Sequence, residues 1–331
     1  MCETLGAVQD AERFDEGYRL LREECGLVDL SGHKAIVLTG EDAKGWLQGQ
    51  ATNDLRKLEP GGSLGFCLCR PTGQLEAICT IWSLPDRFIV VADDAGAQAM
   101  LDRVAKMVIL EDVQAVPFEG SILSIQGPGA TRSLTDLVTL PALDAGIGSL
   151  EGAESIFLRS NRSGYGGWDL LLPSDGAKAA RKIKKQFAAI PEESFHAASL
   201  EAGLPIFGMD TDEKTLPPEL GQAFVNATIS YTKGCYTGQE VLMRIYSRGH
   251  TNRTWVALLA DERMERGDIL AHLGRDEVGR VTRAAFSPEF GWIAAAMVRN
   301  EAAFAGEVVR LRRGSIEFEA EVQEMPLLRF G

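Results

Sequence analysis

A chain of 331 residues is long enough for two or three domains with their own cores, and 45% hydrophobic with 24% charged residues is the composition of a folded globular protein. A formal net charge of -13 argues against a nucleic acid or an anionic membrane engaged over a broad surface, while leaving room for a local basic pocket. Six cysteines without zinc-ligand or paired-disulfide spacing point to thiols in a reducing compartment. Met1-Cys2-Glu3-Thr4 has no leader character and no run reaches the roughly 18 apolar residues of a membrane span, so a cytoplasmic protein without a membrane partner is expected.

Asp10 to Cys25 reads as an amphipathic docking helix, with Phe14, Tyr18, Leu21 and Cys25 at near-helical spacing. Ala35 to Thr39 alternates as a strand, and the turn Gly40-Glu41-Asp42-Ala43 opens a short helix through Trp46 and Leu47. Four segments in this region, Val28-Asp29-Leu30-Ser31, Thr39 to Ala43, Trp46-Leu47-Gln48-Gly49 and Thr52-Asn53-Asp54, resemble in content and order the opening of the aminomethyltransferase (glycine-cleavage T-protein) superfamily. One such segment has little weight; several in order over about 25 residues are specific.

Gly65 to Arg70, a Pro71-Thr72-Gly73 turn and Leu75 to Leu84 read as a β-hairpin. Cys67 and Cys69 alternate onto one strand face and Cys79 lies on the facing strand; C-x-C on a strand lacks zinc spacing, and these thiols are assigned to the core. The resemblance implies a catalytic aspartate four or five residues beyond the turn glycine, serving the folate nitrogen. Those places hold Ala77 and Ile78, and Glu76 is one residue off, which on a strand turns its side chain to the opposite face. The carboxylate expected for transfer chemistry is therefore missing. Arg87 to Ala92 reads as a strand, Ala95 to Lys106 as a helix and Val108 to Val116 as a strand or strand pair.

Ile122 to Gln126 is a strand ending in Gly127-Pro128-Gly129, a turn that matches neither the phosphate loop nor the dinucleotide pattern and is structural, with a helix from about Thr131. Pro141 to Glu154 reads as loop. Ile156 to Ser160 and Trp168 to Leu172 are strands around Gly164-Tyr165-Gly166-Gly167, where Tyr165 resembles a tyrosine of the T-protein pattern. Asp175 to Ala188 is a surface helix whose basic residues form a solvated face or a docking patch. Glu201-Ala202-Gly203 resembles the segment whose glutamate binds the pterin ring of folate in that family. A pterin presents its 2-amino group and a ring N–H side by side, and a carboxylate accepts both in a charge-assisted pair; Glu201 is the candidate.

Asp212 to Gly221, with Pro217-Pro218, is a non-periodic linker expected to wrap the surface or line a groove. Beyond it stands Lys233-Gly234-Cys235-Tyr236-Thr237-Gly238-Gln239-Glu240, which runs into a helix from about Gln239. Gly234 and Gly238 bracket Cys235 and permit a tight turn at positive φ, while the helix N-terminus and the charge of Lys233 would favour a thiolate. An ordinary turn with a small buried thiol is the alternative. Together with the upstream Glu-Ala-Gly, this octapeptide resembles the YgfZ group of the superfamily, folate-binding relatives that support iron–sulfur cluster assembly and repair.

The resemblance runs from about Val28 into the C-terminal region. It implies tetrahydrofolate as cofactor, iron–sulfur scaffold or client proteins as partners, Cys235 with Lys233 as the functional thiol site, and Tyr165, Glu201, Tyr236 and Arg253 as folate contacts. No metal is expected on this chain alone, since a cluster takes four protein ligands; Cys235 would share one with a scaffold protein or with glutathione, form a mixed disulfide, or attack an oxidised intermediate. After the octapeptide, Trp255 to Leu259, Ile269 to Leu273, Glu277 to Thr282, Trp292 to Met297, Glu307 to Leu311 and Ile316 to Glu321 read as a small antiparallel barrel. Arg244, Arg248 or Arg253 would attract a folate glutamate tail or merely solubilise the surface, and His33, His196, His250 and His272 form no ligand cluster.

The expected fold is α+β and three-lobed, T-protein-like, with a folate-binding region of two interleaved lobes over 1–245 (inner boundaries near 50 and 120) and a C-terminal β-barrel over 246–331. The expected function is that of a tetrahydrofolate-binding accessory protein for iron–sulfur clusters. The alternative is a folate-dependent aminomethyl- or methyl-transferase or demethylase, with its carboxylate supplied by Glu76 or Asp210.

Overall fold

The computed structural model describes residues 2–249 and 251–328, with side chains from Ala11 onward; His250 lies outside the described residues. The chain opens on α1 (Cys2–Glu23), which buries Tyr18, Leu20 and Leu21. It continues through β1 (Gly26–Val28), β2 (His33–Thr39), α2 (Ala43–Gln48), the hairpin β3 (Ser63–Cys69) and β4 (Leu75–Ser83), β5 (Phe88–Asp93), α3 (Asp94–Met107) and β6 (Gln114–Pro117). Strands β3-β4-β5-β2-β6 form one antiparallel sheet. Its two faces follow the strand period of two. Ile36 and Leu38 of β2 join a core with α2 and α3, whereas Ala35 and Val37 point the other way.

That other face packs on a second sheet, ordered β1-β7-β10-β9-β8, made of β7 (Gly120–Gln126), β8 (Ala145–Leu150), β9 (Ala153–Ser160) and β10 (Gly167–Pro173), with α4 (Ala130–Thr135) and α5 (Ala177–Gln186) alongside. Trp82 and Val91 of the first sheet meet Ile156, Leu158 and Leu171 of the second. Because β1 precedes the first sheet in sequence but pairs with β7, the two lobes interleave. Strand β8 corrects the loop expected over 141–154. It lies at the sheet edge and pairs only with β9, and its glycines and serine gave no apolar run to read. Conversely, the strand expected from Val108 shrinks to β6, and Ile109 and Leu110 stand exposed in a turn.

The chain then crosses to α6 (Glu192–Glu201), α7 (Gln222–Thr228) and α8 (Gln239–Arg248). A closed antiparallel barrel ends it, β11-β14-β13-β12-β15-β16, built from β11 (Arg253–Ala260), β12 (Ile269–His272), β13 (Arg275–Ser287), β14 (Gly291–Arg299), β15 (Val308–Arg313) and β16 (Ile316–Gln323). The α+β, three-lobed architecture with its C-terminal barrel is thus the one expected. No helix among the described residues is long and apolar enough to cross a membrane.

Strand β13 runs further than its sequence suggested, and a register shift between Val281 and Arg283 marks a bulge that re-aims the arginine. Arg283 is 2% exposed, and its guanidinium reaches Asp210 at 3.1 Å, the Ser199 hydroxyl at 2.8 Å and the Leu204 carbonyl at 2.9 Å. The barrel is thereby pinned to the end of α6. Removing one partner strands a buried charge, so Arg283→Met is expected to lower stability by about 3–5 kcal/mol. Urea unfolding checks this, and an unchanged midpoint would show that the pair does not hold the lobes together.

Candidate functional site

Glu201 is the last residue of α6, and its carbonyl accepts the backbone N–H groups of Leu327 and Leu328 at 2.9 and 3.0 Å, so the C-terminal segment locks the helix end. The side chain is fully buried. Tyr18 donates its hydroxyl to Oε1 at 2.8 Å, while Oε2 has no hydrogen-bond partner. Burial raises the Glu201 pKa above the ordinary carboxyl range, against the opposing pull of the Ser287 and Tyr18 hydroxyls and the Arg22 charge. A buried carboxylate oxygen left open costs stability, and a ligand offering paired N–H donors would complete it. The residues present therefore fit a pterin.

Tyr165 joins this site from the loop between β9 and β10, with the Arg22 guanidinium 5.6 Å from its ring. Burial, and with it the charge of Glu201, raises the pKa of its phenol. The loop is fixed from both sides. Asn161 Oδ1 accepts from the backbone of Gly164 and Gly166 at 2.8 and 3.1 Å, and Arg162 clasps the buried Asp169, which also accepts from Ser124 and Ser160. Sequence reasoning missed Tyr18, Arg22 and Glu289, which surround the carboxylate. In the sequence Tyr18 reads only as a packing residue of the helix stripe, and no motif marks Arg22 or Glu289.

The octapeptide forms a second centre. Lys233 is buried, and its ammonium donates to the carbonyls of Gln48, Ala51 and Asn53 at 2.6, 2.6 and 2.8 Å and lies 5.0 Å from the Tyr236 ring. Burial pushes its pKa down to about 8, whereas three carbonyl oxygens engage all three protons of the charged form. The expected role of Lys233 as the charge beside Cys235 is thus corrected: its charge is turned inward onto the turn after α2. Thr52 donates to the Thr228 carbonyl at 2.7 Å and the Thr237 N–H to that of Gly49 at 3.1 Å. The two most distinctive stretches of the sequence are strapped together.

Cys235 is exposed, which removes the buried-thiol alternative. The helix begins only at Gln239, four residues on. Gly238 has φ +86°, and a Cβ there would stand 2.7 Å from the Arg70 carbonyl, so the turn requires glycine; Gly234, by contrast, has open space and no positive φ. Tyr236 is 7% exposed in a core it shares with Cys67, Cys69 and Leu200, and its hydroxyl has no hydrogen-bond partner. Burial raises its pKa.

The remaining expectations divide. Ala77 is buried under α3 and Ile78 faces the junction of the lobes, so neither face of β4 presents a carboxylate at the expected places. Glu76 is held by Arg103, with Arg70 at 3.6 Å, and Asp210 by Arg283; both carboxylates named for transfer chemistry are engaged. Arg253 spends its guanidinium on Glu219 at 3.0 Å and Asp212 at 3.1 Å, clamping the proline-rich linker, and a folate tail would have to displace both. Cys67 and Cys69 lie in one core and Cys79 in another, because Cys79 pairs opposite Phe66 and so points to the other face. Burial pushes the Cys67 thiol up to about 12.

Two interleaved sheets, a closed barrel and an open buried carboxylate where they meet define a protein of the folate-binding T-protein fold. Residues 9–228 match the GCVT N-terminal domain and residues 253–328 the glycine cleavage T-protein C-terminal barrel domain; the chain belongs to this family. Similar proteins include the aminomethyltransferases of Stenotrophomonas maltophilia, 28% identical over 96% of this chain and 89% of that one, and of Halothermothrix orenii, 24% identical over 95% and 91%. The crystal structure of glycine cleavage system aminomethyltransferase T from Bartonella henselae superposes with a TM-score of 0.85 at 22% identity, over 95% of this chain and 89% of that one. Aminomethyltransferases of this family use tetrahydrofolate.

Two outcomes follow from this geometry. Replacing Lys233 by Met leaves three buried carbonyls unpaired and should cost about 3 kcal/mol or more in chemical unfolding; an effect within error would mean that the strap holds without it. Glu201 has a folded pKa above its unfolded one, so the stability it lends at acid pH is lost as pH rises through the raised value. Glu201→Gln should therefore melt above the wild type near neutral pH, with the gap closing on acidification. A variant that melts lower at neutral pH contradicts the assignment of a strained, open carboxylate.

Proposed function

We propose that this chain is a cytoplasmic tetrahydrofolate-binding protein of the YgfZ type, taking the pterin at Glu201 and acting through the exposed thiol of Cys235 in support of iron–sulfur cluster assembly or repair. The observation that carries the folate reading is the open Oε2 of the fully buried Glu201; Tyr165 beside it and the unpaired hydroxyl of Tyr236 are further contacts. When bound, tetrahydrofolate supplies a one-carbon carrier through its nitrogen atoms. Ala77 and Ile78 offer no proton acceptor to those nitrogens, and Glu76 and Asp210 are held by arginines, which favours an accessory role over group transfer. Cys235 stands where a partner protein reaches it, as one ligand to a cluster whose remaining ligands come from that partner.

The second reading, a folate-dependent aminomethyltransferase, is favoured by the names of the curated relatives. Titration of tetrahydrofolate under reducing conditions separates these possibilities in order. Saturable binding is expected, weakened roughly tenfold or more in Glu201→Ala, the scale of a lost hydrogen bond to a charged group. Binding to neither protein would remove the folate premise. Cys235→Ala should bind folate as the wild type does yet fail to restore iron–sulfur enzyme activities in cells lacking the protein; full restoration would sink the thiol role. Folate-dependent turnover of an aminomethylated carrier, lost in Glu76→Gln, would establish the transferase instead.

A further inference from the structure

The groups facing Glu201 come from three places: Tyr18 and Arg22 from α1, Ser287 at the end of β13 with Glu289 in the turn after it, and Tyr165 from the β9–β10 loop. They form a directed chain. Arg22 ion-pairs with Glu289 and donates from the same nitrogen to the Tyr18 oxygen at 2.9 Å, and Tyr18 donates to Glu201 Oε1 at 2.8 Å. An arginine only donates, and a phenol has one proton. With its oxygen accepting from Arg22, Tyr18 sends that proton to the carboxylate. Glu289 is itself seated by the turn, since the N–H groups of Glu289 and Phe290 both donate to the Ser287 hydroxyl at 3.1 and 3.0 Å.

We propose that Tyr18, oriented by Arg22 and anchored through it to Glu289, is the positioning group of the ligand carboxylate. It fixes the Glu201 rotamer and engages Oε1, so that Oε2 is presented to a ligand with adjacent N–H donors on a flat ring. The inference rests on the folate reading and adds to it a selection rule. The carboxylate favours a heterocycle that donates to it over one that accepts at the same edge, because an acceptor would face the unpaired oxygen. It also makes binding depend on α1 being docked on the barrel, since Arg22 and Glu289 come from those two elements.

The test is calorimetric titration of tetrahydrofolate between acid and neutral pH into the wild type, Tyr18→Phe, Glu201→Gln and the double variant, with melting curves for each. Tyr18→Phe is expected to bind roughly tenfold or more weakly at neutral pH, in the range of a hydrogen bond to a charged group. The pH at which its binding is half lost should move upward, because the carboxylate loses a donor that holds it charged. In the Glu201→Gln background the same substitution should cost far less, as expected of coupled residues. Equal losses in both backgrounds, or a Tyr18→Phe profile superimposable on the wild type, overturn the positioning role while leaving the folate reading intact. A wild type that binds no folate removes the reading itself. Glu289→Gln, which keeps the side-chain shape, should show a smaller shift in the same direction, and a shift in the opposite direction also counts against the relay.

Discussion

The Lys233 ammonium and its three carbonyl partners are the constraint around which the site region is built. A lysine buried from water is costly unless every proton is engaged, and here the partners come from the last residue of α2 and the irregular turn that follows it, Gln48 to Asn53. That turn is far from Lys233 in sequence, so the bond fixes a long-range closure: α7 and the octapeptide must lie against β3 and the α2 turn before the ammonium is satisfied. Around it the Thr52, Asn53 and Thr237 bonds complete the strap. Cys235 is displayed at the surface because Lys233, two residues before it, and Tyr236, next to it, point into the protein.

Glu201 follows the opposite logic. Where Lys233 is saturated with partners, the carboxylate is buried with one oxygen unmet, and its environment works against its charge. Such a group lowers the stability of the protein without ligand, and sites that bind or react are where proteins retain such groups. A ligand that supplied the missing donors would relieve that cost, so affinity for it and the instability of the unpaired carboxylate have one cause.

Much of this was legible in the sequence, for identifiable reasons. The hairpin of β3 and β4, the helix after Gly238 and the barrel strands have regular periods and glycine turns, and both anchors, Glu201 and the octapeptide, stand in runs too specific to arise by composition. What was not legible depends on contacts between distant segments. The direction of the Lys233 charge could not be inferred from its being two residues from Cys235, because what decides it is a turn nearly two hundred residues earlier. Tyr18 looked like one more member of an apolar stripe, and Arg253 like a free cation, until the third dimension supplied Glu201 to the one and Asp212 and Glu219 to the other. Strand β8 was hidden by its edge position, where pairing with one neighbour suffices and no apolar run is needed.

The end of α6 and the thiol loop also meet in one core. Leu200, adjacent to Glu201, packs with Tyr236, adjacent to Cys235, among Cys67, Cys69, Leu75 and Trp255. The hairpin turn closes the same contact from the other side, where Gly238 sits against the Arg70 carbonyl and Gly73 against Val241. Close-packed interiors transmit small displacements because they have no slack in which to absorb them. A displacement of Leu200 at the end of α6 therefore bears on the seat of Tyr236, next to Cys235. On β4 this core takes Ile78, and the Glu76 carboxylate two residues before it is held by Arg103. The unpaired carboxylate oxygen of Glu201 thus stands one residue from this shared core, and the exposed thiol of Cys235 lies outside it, on a loop this packing holds in place.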